Sequence, residues 1–80
     1  MPHTPASPDP LQLLQEWCRL WGVAELAPEI QIEISTRMTR SLGRCYPDRK
    51  LIRIASFVVK ESNELFQEVL CHEAAHLAAY

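Results

Sequence analysis

The sequence predicts an α+β domain: an N-terminal helix, a short antiparallel sheet of two to three strands, and a C-terminal helix carrying His72-Glu73-Ala74-Ala75-His76. Three observations predict it. Apolar residues recur at helical spacing between Leu13 and Trp21, the period changes to alternation after Pro28, and helical spacing returns from Leu65 onward.

Four of the six prolines fall within residues 1–10, so residues 1–9 read as a flexible Pro-rich leader and residues 10–80 as the domain. His3, in that leader, reads as a bystander. Asp9 is placed to cap the first helix and Pro10 to occupy its first position. Leu13, Leu14, Trp17, Cys18, Leu20 and Trp21 then follow at i, i+3, i+4 and i+7, and Gly22 closes the helix. The two tryptophans read as core packing rather than as a ligand platform.

After Pro28, Ile30, Ile32 and Ile34 alternate with Gln31, Glu33 and Ser35, the pattern of a half-buried strand. The turn Pro47-Asp48-Arg49-Lys50 leads into a second alternating run, Leu51 to Ala55. A hairpin follows from this, or a three-stranded meander with a middle strand near Leu42 to Tyr46. Phe57, Val58 and Val59 read as a connection, and Ser62 or Asn63 as the cap of the last helix.

Eighty residues suffice for one domain with a modest core. The net charge of −2 points by itself to neither nucleic acid nor membrane. No apolar run approaches the roughly 20 residues a membrane span needs, and no signal pattern opens the chain. The expected location is therefore cytoplasmic, with nucleoid or nuclear association open. Cys18, Cys45 and Cys71 form no C-x-x-C pair, which argues against a disulfide framework or a cysteine zinc knuckle. Cys18 falls in the helical core pattern and Cys71 on the polar side of the last helix. Cys45 lies in a loop-rich stretch where a ligand role is conceivable, although a structural role is the simpler reading.

The chemistry is concentrated in residues 72–76. Positions i and i+4 of a helix lie about 40° apart around the axis, so His72 and His76 can grip one metal ion. Glu73, about 100° round from His72, stays off the metal but near enough to act as a general base on water. Val69-Leu70-Cys71, Ala74-Ala75 and Leu77-Ala78 surround the motif without Pro, Gly or further charge, as suits a packed helix holding rigid ligands. Leu65, Phe66, Val69, Leu70 and Leu77 form its apolar arc, and the two histidines at the margin of that arc are expected to be half buried in a cleft.

From these residues the chain resembles the SprT-like zinc metallopeptidases, which include the Spartan-type proteases that digest proteins crosslinked to DNA. The resemblance extends over residues 30–80. It takes in the stretch from Ser35 to Tyr46 with its Arg-x-x-x-x-x-Gly segment (Arg37 to Gly43), the Ile52-Arg53-Ile54 strand, a spacer and the H-E-x-x-H helix. The resemblance implies a zinc-dependent endopeptidase acting on a protein or peptide substrate, with Zn²⁺ as cofactor, His72 and His76 as ligands and Glu73 as catalytic base. It also implies a third histidine ligand beyond His76, which the chain does not reach before Tyr80. The expectation is a truncated fragment, weak or inactive alone, unless His3, Cys45, an acidic side chain or another copy of the chain completes the site. The rival expectation is a non-enzymatic metal- or nucleic-acid-binding module with structural histidines.

Charge is segregated. Arg37, Arg40, Arg44, Arg49, Lys50 and Arg53 stand against Asp48 alone, a stretch of +5 in a chain whose remainder is −7. Such a basic hairpin can track phosphates and contact DNA, with Tyr46 stacking on a base. It can equally be a solvated face neutralised by Glu29, Glu33 and Asp48, a reading favoured by the lack of any recognised nucleic-acid motif.

Overall fold

The computed structural model describes residues 9–80. The expected leader and His3 therefore lie outside the described residues, apart from Asp9. The Asp9 carboxylate accepts a hydrogen bond from Leu11 N–H at 2.9 Å and opens helix α1 (Pro10–Leu20), with Pro10 in the first turn. Gly22, at φ 77°, takes the chain out of the helix through the left-handed region that glycine enters without steric cost. The apolar stripe of α1 is narrower than its sequence pattern. Leu14 and Cys18 are fully buried and Trp17 packs at the edge of the core, but Leu20 and Trp21 are exposed. Trp21 stacks on Trp17 at 6.3 Å between ring centroids, so one tryptophan lies at the core margin and the other covers it from outside.

A 3₁₀ turn over Ala24–Glu29 leads into β1 (Gln31–Ser35); β2 (Gly43–Tyr46) and β3 (Leu51–Ala55) follow. The sheet order is β1-β3-β2. β2 pairs antiparallel with β3, and β1 pairs parallel with it, Ile32 opposite Ile52 and Ile34 opposite Ile54. The sheet is thus mixed, where the sequence predicted an antiparallel one. Alternation reports which face a residue takes, but pairing partner and direction are set by where the connections lead. Here residues 36–42 carry the chain past the slot later filled by β3, while the tight turn at Pro47–Arg49, closed by Lys50 at φ 50°, folds β3 back between the two earlier strands. Lys50 holds this turn on both sides: its N–H donates to the Pro47 carbonyl, its own carbonyl accepts from Gln31 N–H, and its ammonium pairs with Glu29.

Ile52 and Ile54 are fully buried on one face of β3, while Arg53 points to the other. Residues 56–61 are a helix, α2 (Ser56–Glu61), rather than the expected connection. Three consecutive residues of low helix propensity gave no helical signal, but burying Val58 completely under the core fixes the turn. Ser62 then caps α3 (Asn63–Ala79), its Oγ accepting from Leu65 N–H at 3.0 Å. Helix α3 packs through Val69, Leu70, Ala74 and Leu77, which join Leu14, Cys18, Ile30, Ile52, Ile54 and Val58 in one core. Among the described residues no helix is long and apolar enough to cross a membrane.

Leu70 is fully buried. Leu70→Ala is expected to cost about 2–5 kcal/mol, a large part of the roughly 5–15 kcal/mol typical of a domain, and urea unfolding monitored by circular dichroism will measure it. An unchanged midpoint would contradict the placement of α3 against the sheet.

Candidate metal centre

The capped, uninterrupted α3 sets His72 and His76 one turn apart. Their Nε2 atoms are 3.1 Å apart, with ring centroids at 4.6 Å and planes at 86°. Two imidazoles sharing a tetrahedral zinc at Zn–N distances of about 2.0–2.1 Å would have their nitrogens about 3.3 Å apart, so the pair fits two positions of such a centre. Both rings are exposed, not half buried as the arc predicted. Leu65 and Phe66, counted into that arc, are only partly buried, and the face that meets the sheet centres on Leu70, Ala74 and Leu77, which turns the histidines outward. The same rotation half-buries Cys71, expected on the polar side.

Glu73 is the more enclosed member of the triplet, and Gly43 is the reason. A Cβ at Gly43 would lie 2.8 Å from Val69 Cγ1, 3.2 Å from the Arg53 carbonyl oxygen and 3.3 Å from Glu73 Cγ. Only glycine lets β2 approach the helix this closely, and the stem of Glu73 lies against that bare backbone. Two residues on, Cys45 shares this face. Burial pushes its thiol up from the ordinary value, and the negative charge of Glu73 pushes it further. Cys45 thus sits in β2, in line with the strand expected near Leu42 to Tyr46, beside the general-base candidate. It does not complete a metal site: among the described residues no three His, Cys, Asp or Glu side chains converge. Gly43 is a position of this candidate site that residue chemistry alone does not flag, its signal being the end of the Arg37 to Gly43 segment.

The helix with its paired imidazoles, the strand laid over Glu73 and the intervening β3 all fall within residues 11–80, the stretch that the family model of the SprT-like family matches. The chain belongs to the SprT-like family. The match adds α1 and the 3₁₀ turn to the stretch that residues 30–80 already indicated. No curated protein and no solved structure matches the chain.

In this SprT-like chain the six basic residues do not form one hairpin face. Lys50 is paired with Glu29. Arg53 Nε lies 2.7 Å from Glu33 Oε1, and its guanidinium stands over the Tyr46 ring at 5.2 Å, with Arg49 at 6.0 Å. The ring of Tyr46 is therefore engaged by cations and is not a free stacking platform. Two of the three expected neutralising carboxylates do pair, yet Arg37, Arg40 and Arg44 enter no ion pair among the described residues.

Gly43→Ala is expected to force α3 away from β2, at about 1–3 kcal/mol, the usual range for overpacking. Thermal unfolding will show the loss, and zinc retention on dialysis should fall with it if the close approach holds the ligand helix in place. A second expectation concerns Cys45. Its raised pKa leaves little thiolate at pH 8, so alkylation by iodoacetamide should be slower than in the urea-unfolded chain. Removing the carboxylate charge with Glu73→Gln lowers that pKa and should speed labelling. Peptide mass mapping resolves the three cysteines; an unchanged Cys45 rate in the variant would place Glu73 elsewhere.

Proposed function

We propose that this chain carries the metal-binding helix of a zinc-dependent endopeptidase, with His72 and His76 as two metal ligands and Glu73 as the catalytic base. The observation that carries the reading is the convergence of two exposed Nε2 atoms to 3.1 Å on a helix whose intervening Glu73 is held under Gly43. Family membership supports it, the SprT-like family being associated with zinc. Catalytic zinc commonly takes three protein ligands plus water, and the third ligand on this reading lies outside the described residues.

Each residue then has a task. His72 and His76, exposed at the surface, hold the ion where an extended polypeptide can reach it. The zinc, when bound, supplies Lewis acidity and lowers the pKa of water to about 7. Glu73 takes the proton of the attacking water and returns it to the leaving amine. Its stem is fixed by the Gly43 contact, which orients the carboxylate before substrate arrives. Among the described residues strand β2 is an edge of the sheet, so its outer backbone beside Glu73 offers an extended substrate hydrogen bonds independent of side-chain identity.

In the zinc-loaded protein, Glu73→Gln should leave zinc content unchanged while cleavage of an unfolded protein substrate falls by roughly 10²–10⁴-fold. Zinc is read by mass spectrometry and cleavage by gel. Most of the activity surviving in the variant would remove Glu73 from the role. Tight zinc binding with no turnover in the wild type would favour a non-enzymatic metal-binding module instead.

A further inference from the structure

The face of the sheet turned away from α3 carries a concavity. It measures about 560 Å³ and is lined by the end of β1, residues 36–41 and the outward side chains of β2 and β3. That volume lies within the roughly 300–1,000 Å³ of small-ligand sites. Its lining is cationic: Arg37, Arg40, Arg44 and Arg53, with Glu33 as the single carboxylate. Glu33 is already committed to Arg53. The Arg53 Nε–H is buried without a hydrogen-bond acceptor, so the pair is held by charge rather than by an aligned bond.

Arg44 stands directly opposite Arg53 in the antiparallel register, a juxtaposition of like charges that costs stability unless an anion lies between or above them. Arg37 and Arg40 add two further guanidinium groups from the adjoining loop. Three forks in excess of the lining carboxylate exceed what one carboxylate ligand neutralises. Planar forks match phosphate oxygens two at a time. Tyr46, covered by Arg53, forms wall rather than platform, so recognition falls on charge and not on base identity.

We propose that this concavity is a binding site for a phosphate-bearing ligand of nucleotide size, gripped by Arg37, Arg40 and Arg44. It lies on the opposite face from the histidine pair and does not depend on the peptidase reading. The phosphate can belong to a free mononucleotide or to the backbone of a single strand; the two sources share the chemistry and differ in valence.

The test uses the 80-residue chain without zinc at low salt, with pyrophosphate, AMP and a fluorescent oligothymidylate as probes in calorimetry and anisotropy. Binding is expected for at least one probe. Arg40→Gln with Arg44→Gln should weaken it at least tenfold, with the circular dichroism spectrum unchanged. Arg19→Gln with Lys60→Gln, the same loss of charge outside the concavity, should leave it within about twofold. AMP competing fully with the oligonucleotide assigns a mononucleotide site. Oligonucleotide binding that AMP does not displace, with a log–log salt slope that falls by about 0.7 for each phosphate contact removed, assigns a strand. No binding of any probe, or equal weakening by both double variants, would overturn the proposal.

Discussion

The close approach of β2 to α3 at Gly43 is the contact on which the rest of this structure depends. A side chain there would press into Val69, the Arg53 carbonyl and Glu73 together, so the missing Cβ sets the distance between sheet and helix. That distance lets Val69 and Leu70 reach the core while Glu73, on the next turn, is held against backbone. The histidines need no such support from the sheet. Their spacing follows from the helix itself, which is why they can remain exposed and still converge.

The same sheet separates two chemistries. On the helix side, Gly43 and Cys45 face α3, and burial and the Glu73 charge together push the Cys45 thiol up from its ordinary value. On the far side, Arg44 and Arg53 stand in register, and the loop between β1 and β2 adds Arg37 and Arg40. Strand alternation alone achieves this division: each residue of β2 serves the face opposite to its neighbour's. The basic surplus therefore stands apart from the histidine pair, and a ligand on one face need not compete with a ligand on the other.

Much of the fold was legible because it rests on local signals. Asp9 and Ser62 cap their helices through their own side chains, Gly22 takes the positive φ that its position suggested, and Pro47 to Lys50 makes the turn. Cys18 is buried as its place in the helical pattern required. The misreadings share a cause. Leu20 fits an apolar spacing but stays exposed, Trp21 covers Trp17 from outside the core, and Phe57, Val58 and Val59 have low helix propensity but gain a helix from the burial of Val58. In both places tertiary context outweighed the local pattern.

The sequence by itself determined the order of elements, the H-E-x-x-H spacing that makes His72 and His76 a pair, and the segregation of positive charge between Arg37 and Arg53. These depend on helix and strand periods and on composition, which neighbouring residues fix among themselves. Only the tertiary structure decided that β3 lies between β1 and β2, that the imidazoles face solvent while Glu73 is half-buried, and that four of the six basic residues share one concavity. Those outcomes turn on which surfaces meet across long stretches of chain, and periodicity carries no information about a partner it does not name.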